Sequence, residues 1–178
     1  MAKDKSLLRK EVRAKLSVLG DAEKANRSAI IASEIKSHLA VVGARVVALY
    51  SPLGNEPLLW GLVEELSAKM LVFLPKVEGE IMNFYYYDKG NIAPGAFGIM
   101  EPQCGEAVLP YEIDAVVVPG VAFTKDGARM GRGKGYYDKY LSQKDFRGVK
   151  IGVCYAEQIL DELPVEPHDV RMDCVVYK

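Results

Sequence analysis

The stretch Ile113–Leu141, IDAVVVPGVAFTKDGARMGRGKGYYDKYL, decides how the rest of the chain is read. It opens on a short apolar run, Ile113 to Val118, of the kind that forms a strand buried on both faces. Pro119-Gly120 stops that run. Asp126-Gly127 is a tight-turn signal and predicts a hairpin. Then come three glycines at alternate positions, Gly131, Gly133 and Gly135. A helical pattern follows from Gly135 to Gln143. Buried strand, glycine loop and helix in this order belong to an α/β protein with its ligand at the carboxyl end of the sheet.

The same texture extends in both directions. ARVVALY (44–50) reads as a buried strand that ends in the turn residues Ser51, Pro52 and Gly54. A helical pattern runs from Leu58 to Lys69. MLVFLP (70–75), IMNFYYY (81–87), KIGVCY (150–155) and CVVY (174–177) supply further strands, and Ala156 to Leu160 a short helical piece. Before them, Leu8, Val12, Leu16 and Leu19 recur at helical spacing, with Gly20 as a stop. Asp21 is placed to cap a second helix containing Ala25, Ala29, Ile30, Ile35 and Leu39. The predicted fold is α/β: one domain over residues 1–178, a largely parallel sheet with helices on both faces, and an N-terminal helical pair. Residues 87–110 are rich in Gly and Pro and form the least regular part. Within them, 90–105 is the segment expected to close over a site.

Composition narrows the function. With 178 residues the chain is long enough for a substantial core. The formal net charge is −1, which argues against broad attraction to nucleic acid or to a membrane surface. No signal peptide and no apolar run long enough to cross a bilayer is read here. Cys104, Cys154 and Cys174 are odd in number and widely spaced. They are expected to be reduced and mostly buried thiols of a cytoplasmic protein.

The glycine loop carries the strongest chemistry. Without Cβ atoms its backbone can approach a ligand closely and take positive φ. Arg129, Arg132 and Lys134 add fixed positive charge where backbone N–H groups can also point, a combination suited to a nucleotide's phosphates. Asp138 lies four residues after Lys134, in reach of a Mg²⁺ carried by those phosphates. It is not a Walker A loop, because Gly135 stands where that loop needs a hydroxyl. It is not a Rossmann turn either, because the spacing is G-x-G-x-G. A basic surface turn before a helix remains the plainer alternative.

Other residues are weaker alone. Lys5, Arg9 and Arg13 fall on one face of the first helix, which is either a binding stripe or a solvated face. Glu56 follows a buried strand and could simply favour the dipole of the next helix. Phe84, Tyr85, Tyr86 and Tyr87 must alternate between core and a surface that could stack a flat heterocycle. His38 and His168 have no nucleophile motif beside them.

VPGVAFTKDGARMGRGKGYYDKYL (118–141) closely resembles the signature of the 5-formyltetrahydrofolate cyclo-ligase (methenyltetrahydrofolate synthetase) family. The resemblance spans nearly the whole chain through KSLLRKEVRAKL, YSPLGNEP, GIMEP and PHDVRMD. It implies an ATP- and Mg²⁺-dependent enzyme that closes 5-formyltetrahydrofolate, polyglutamylated or not, to 5,10-methenyltetrahydrofolate. The formyl oxygen would be phosphorylated, and ADP and phosphate released. Lys5 and Arg9 would then reach the nucleotide with Arg129, Gly131, Arg132, Gly133, Lys134, Gly135, Tyr136 and Tyr137. Arg132 and Lys134 would be the catalytic cations. Ser51, Glu56 and Tyr136 would hold the folate, with Glu56 on the pterin. Asp138 and Asp169 would hold the metal, with Asp173 as the alternative to Asp169. The protein would act as a monomer without nucleic-acid or membrane partners. A phosphate- or RNA-binding module and a sugar-phosphate enzyme on a similar scaffold are the competing readings.

Overall fold

The structure is a computed structural model and describes residues 4–95 and 98–178. A six-stranded sheet forms its centre. In chain order its strands are β1 (Val46–Ala48), β2 (Leu71–Glu78), β3 (Ile81–Tyr86), β6 (Ala115–Pro119), β9 (Val149–Cys154) and β10 (Cys174–Tyr177). They lie side by side as β10-β9-β6-β1-β2-β3. All neighbours are parallel except β2 and β3, which form an antiparallel hairpin paired from Phe73 with Tyr86 to Glu78 with Ile81. Two small ribbons stand apart. One pairs β4 (Ile92–Pro94) with β5 (Met100–Pro102); the other pairs β7 (Ala122–Phe123) with β8 (Arg129–Met130).

The largely parallel sheet with covered faces is the predicted architecture, and its cause is visible in the strands. Side chains alternate, so Val47, Val117, Ile151 and Val153 face one core while Ala48, Val116, Val118 and Cys154 face the other. The first core is closed by α1 (Lys5–Ser17), α2 (Asp21–Val41) and α3 (Trp60–Ser67). α1 buries Leu8, Val12 and Leu16 at four-residue spacing, each worth roughly 2 kcal/mol by burial. The second core is covered by the short α4 (Tyr136–Leu141), through Tyr140 and Leu141.

Several local expectations need correction. Asp21 is the first residue of α2 rather than its cap. Gly20 holds the cap position without a side-chain bond. Asp4 is the residue that caps a helix here, accepting from the Ser6 amide at 3.0 Å. Ala156–Gln158 is a single 3-10 turn. Residues 87–110 are not simply irregular, because they contain the β4–β5 ribbon. Ala96 and Phe97, inside the expected closing segment, lie outside the described residues. The hairpin signal at Asp126-Gly127 is borne out by β7 and β8, with Phe123 opposite Arg129. All three cysteines are free, but Cys104 is exposed.

Candidate active site

The carboxyl ends of β1 and β6 open into a cleft of about 900 Å³. Tyr50, Ser51 and Glu56 enter it after β1, and Pro119 and Gly120 after β6. This is where an α/β sheet leaves room for a ligand. Every residue assigned above to ATP, folate or metal lines this one cleft, except the alternative Asp173. Asp173 instead immediately precedes β10, where its carboxylate accepts from the amide of Lys150 in β9 at 2.7 Å and pairs with the Lys150 ammonium. Of the basic stripe on α1, Lys5 and Arg9 reach the cleft, and Arg13 does not.

The glycine loop forms one wall. Gly133 and Gly135 have φ of 106° and 70°, a region L side chains rarely adopt. Their backbone bends the loop so that Arg132 and Lys134 both stand at the cleft's exposed edge. Arg9 steadies the loop from α1, its Nε donating to the Gly131 carbonyl at 3.0 Å. Lys134 makes no hydrogen bond or ion pair among the described residues. Its ammonium is the loop's uncommitted charge.

Three other cations of the cleft are held by carboxylates, all of them except Glu166 expected to serve ligands. Arg132 donates through Nε and Nη2 to Glu56 Oε1, at 3.2 and 2.9 Å. The second Glu56 oxygen accepts from the Leu53 amide at 2.8 Å. Lys5 spans Glu166 at 2.8 Å and Asp169 at 3.1 Å. Burial pulls the Lys5 pKa down, but its two carboxylate partners outweigh that and leave it above its ordinary value. Burial pushes Asp169 up, yet the Glu166 amide and Lys5 together bring it below the usual carboxylate range. Arg129 is almost wholly enclosed. Its Nη2 meets Asp138 Oδ2 at 2.9 Å, and its guanidinium lies 5.5 Å from the Tyr137 ring centre. The other Asp138 oxygen accepts from the Val170 amide at 3.1 Å.

Asp138 and Asp169 are thus neighbours on the wall, joined through the chain at Val170. No cluster of three or more His, Cys, Asp or Glu side chains suited to a metal exists among the described residues. A donor set of two carboxylates fits Mg²⁺ only if phosphates and water complete its shell, which is the usual arrangement for that ion.

The opposite wall is apolar and was not foreseen. Pro75 and Val77 from β2, Met82 from β3, and Ile99 supply it. The aromatic run does not. Phe84 and Tyr87 are buried in the two cores, and none of 84–87 lines the cleft. Tyr136 and Tyr137 do. Tyr136 donates from its hydroxyl to the Gly79 carbonyl at 3.3 Å, tying α4 to the β2–β3 turn. Burial, reinforced by Glu56 and opposed by Arg129, raises the Tyr137 pKa far above the ordinary phenol value, so it stays a neutral donor. Ser51 was expected to touch substrate. Its hydroxyl donates to the Met100 carbonyl at 2.5 Å and so fixes β5 against the end of β1. Glu101 and Glu166 were missed. Each is one acidic residue in an otherwise ordinary stretch, and only the tertiary fold brings it to the cleft.

Comparison with known proteins agrees with this geometry. The model of the 5-formyltetrahydrofolate cyclo-ligase family matches residues 1–178. A 5-formyltetrahydrofolate cyclo-ligase of Mycolicibacterium smegmatis is 34% identical over 148 residues, covering 76% of this chain and 74% of the relative. The NMR structure of Aquifex aeolicus 5,10-methenyltetrahydrofolate synthetase superposes with a TM-score of 0.87 at 40% identity, over 97% of this chain and 89% of that one. The 5,10-methenyltetrahydrofolate synthetase of Mycoplasma pneumoniae superposes with a TM-score of 0.80 at 30% identity, over 98% of both.

Proposed function

The chain belongs to the 5-formyltetrahydrofolate cyclo-ligase family, enzymes that convert 5-formyltetrahydrofolate to 5,10-methenyltetrahydrofolate using ATP, and on that premise we propose how its cleft divides the work. The triphosphate lies along the glycine loop, and the folate lies between Glu56 and the apolar wall. The observation that carries this division is Lys134, an uncommitted cation at the edge of a cleft whose other wall is apolar.

A formamide oxygen is a poor leaving group. Transfer of the γ-phosphoryl group to it releases ADP and gives an imino-phosphate. N10 then attacks the activated carbon, loses its proton and expels phosphate, closing the ring. Such transfer is catalysed by positioning and by neutralising charge rather than by a protein nucleophile. Lys134 and Arg132 supply the charge at the transferred group, with Lys5 and Arg9 along the nucleotide. Loop amides of Gly131 to Gly135 fix the phosphate geometry. Arg129 holds Asp138 in place. Asp138 and Asp169 would hold Mg²⁺, which when bound offsets phosphate charge. Tyr136 and Tyr137 close the end of the cleft between the two ligands.

The reading includes a cytoplasmic monomer. Three unpaired thiols are in keeping with a reducing compartment. No helix among the described residues is long and apolar enough to cross a membrane.

The test mixes protein, Mg-ATP and 5-formyltetrahydrofolate and follows the near-ultraviolet absorbance of the methenyl product alongside ADP. One ADP per ring closed is expected. ADP release indifferent to folate would overturn the reading.

A further inference from the structure

Among the described residues, Glu101 is the carboxylate of the cleft that the reaction above leaves unused and that the fold gives no side-chain partner. It is only 4% exposed. Its carboxylate makes no hydrogen bond or ion pair among the described residues. Its oxygens are not among the buried polar atoms that lack a partner, so they face the open cleft and are free to accept from a ligand there.

The surrounding structure holds it. The backbone of Glu101 lies in β5, paired with Ala93 of β4. Its carbonyl accepts from the Gln103 side chain at 2.9 Å. The residue before it, Met100, is tied to the end of β1 by Ser51. Across the ribbon, Gly95 leaves the space the side chain occupies. A Cβ on Gly95 would stand 2.0 Å from Glu101 Oε2 and 2.5 Å from its Cδ. The carboxylate is therefore seated against the bare backbone of Gly95 and lines the cleft with Ile99.

Chemistry narrows what it meets there. A carboxylate accepts and cannot donate. On the reading above the phosphates take the cationic loop. Adenine and the folate tail also carry N–H groups, but only the reduced pterin presents an amino N–H and a ring N–H side by side, a pair matched to the two oxygens of one carboxylate. Glu56, the carboxylate expected at that edge, has both oxygens occupied by Arg132 and Leu53. Glu101 has both oxygens free.

We propose that Glu101 is a second carboxylate of the folate site and that it binds the pterin by accepting its N–H hydrogen bonds. This rests on the folate reading of the cleft. In the ligand-free protein neither oxygen has a partner among the described residues, and the pterin would supply donors to both.

The experiment compares wild type, Glu101→Gln and Gly95→Ala. Steady-state KM values are measured for 5-formyltetrahydrofolate and for ATP, folate Kd by calorimetry without nucleotide, and Tm without ligand. Glutamine keeps the shape but turns one acceptor into a donor. Glu101→Gln should raise the folate KM and Kd about tenfold or more, leave the ATP KM within about twofold, and leave Tm unchanged because the carboxylate has no protein partner to lose. Gly95→Ala should reproduce the folate defect by displacing the carboxylate. A folate KM and Kd within about twofold of wild type in Glu101→Gln, or folate and ATP constants rising together, overturns the proposal. If wild type binds folate without closing its ring, the catalytic reading fails while the Kd values still decide the role of Glu101. If wild type does not bind folate, both fall.

Discussion

In the glycine-loop half of the cleft each carboxylate is paired with a cation, whereas on the apolar side the carboxylate of Glu101 has no partner among the described residues. Arg129 has Asp138, Glu56 has Arg132, and Asp169 has Lys5. The paired half is stable when empty and can exchange its internal partners for phosphates. The unpaired half is completed by its ligand. The difference teaches that the two substrates are met in different ways: a polyanion by transferring cations already in place, and a heterocycle by a vacant acceptor in an apolar wall.

Removing the glycine loop's unpartnered cation breaks that comparison most severely. Lys134→Ala is expected to lower kcat by about 1,000-fold, the scale of losing a charge that acts on a transferring phosphoryl group. The side chain is exposed and unpartnered, so Tm should not move. Near-normal turnover in purified variant would show that the phosphates lie elsewhere.

Asp138→Asn comes next and separates structure from metal binding. It leaves Arg129, with 3% side-chain exposure, facing a neutral amide. Losing one partner of an enclosed pair costs about 3 kcal/mol, readable as a lower midpoint in urea. If Asp138 also serves Mg²⁺, the concentration of Mg²⁺ needed for half-maximal rate should rise as well. A stability loss with an unchanged Mg²⁺ titration would confine Asp138 to holding Arg129. Arg132→Ala should be milder in stability, about 1 kcal/mol, because its side chain is 42% exposed and its pairing with Glu56 is screened by water. Its larger effect should fall on kcat.

The same contrast explains what could be read in the chain. The cradle is contiguous: glycines, cations and Asp138 sit within ten residues, so spacing alone revealed both the loop and its chemistry. The central strands β6 and β9 were legible because their apolar runs are largely buried on both faces. Glu101 was not legible, since its isolation depends on the space left at Gly95 and on Ser51 fixing the neighbouring strand. The apolar wall was misplaced for a related reason. Four consecutive aromatics advertise a stacking surface, but strand alternation and the edge position of β3 send Phe84 and Tyr87 into the cores and leave Tyr86 outside. Pro75, Val77 and Met82 carry no such advertisement.

The smallest effect sharpens how firmly the paired half holds its charge. Lys5 and Asp169 are both partly exposed, so their pair should contribute about 1 kcal/mol or less. Its pH dependence has a definite sign at each end. Asp169 has a lowered pKa in the folded protein, so its contribution is present above the unfolded value of about 3.9 and is lost as pH falls through the folded one. Lys5 has a raised pKa, so its contribution is present below the unfolded value near 10.5 and is lost as pH rises through the folded one. The coupling energy from a Lys5→Met, Asp169→Asn double-mutant cycle should therefore be flat through neutral pH and vanish at both extremes. Saturating ATP should abolish it at neutral pH too, because Lys5 would then have left Asp169 for phosphate. A coupling that survives ATP unchanged would mean that Lys5 is a permanent strut for Asp169 and never reaches the nucleotide.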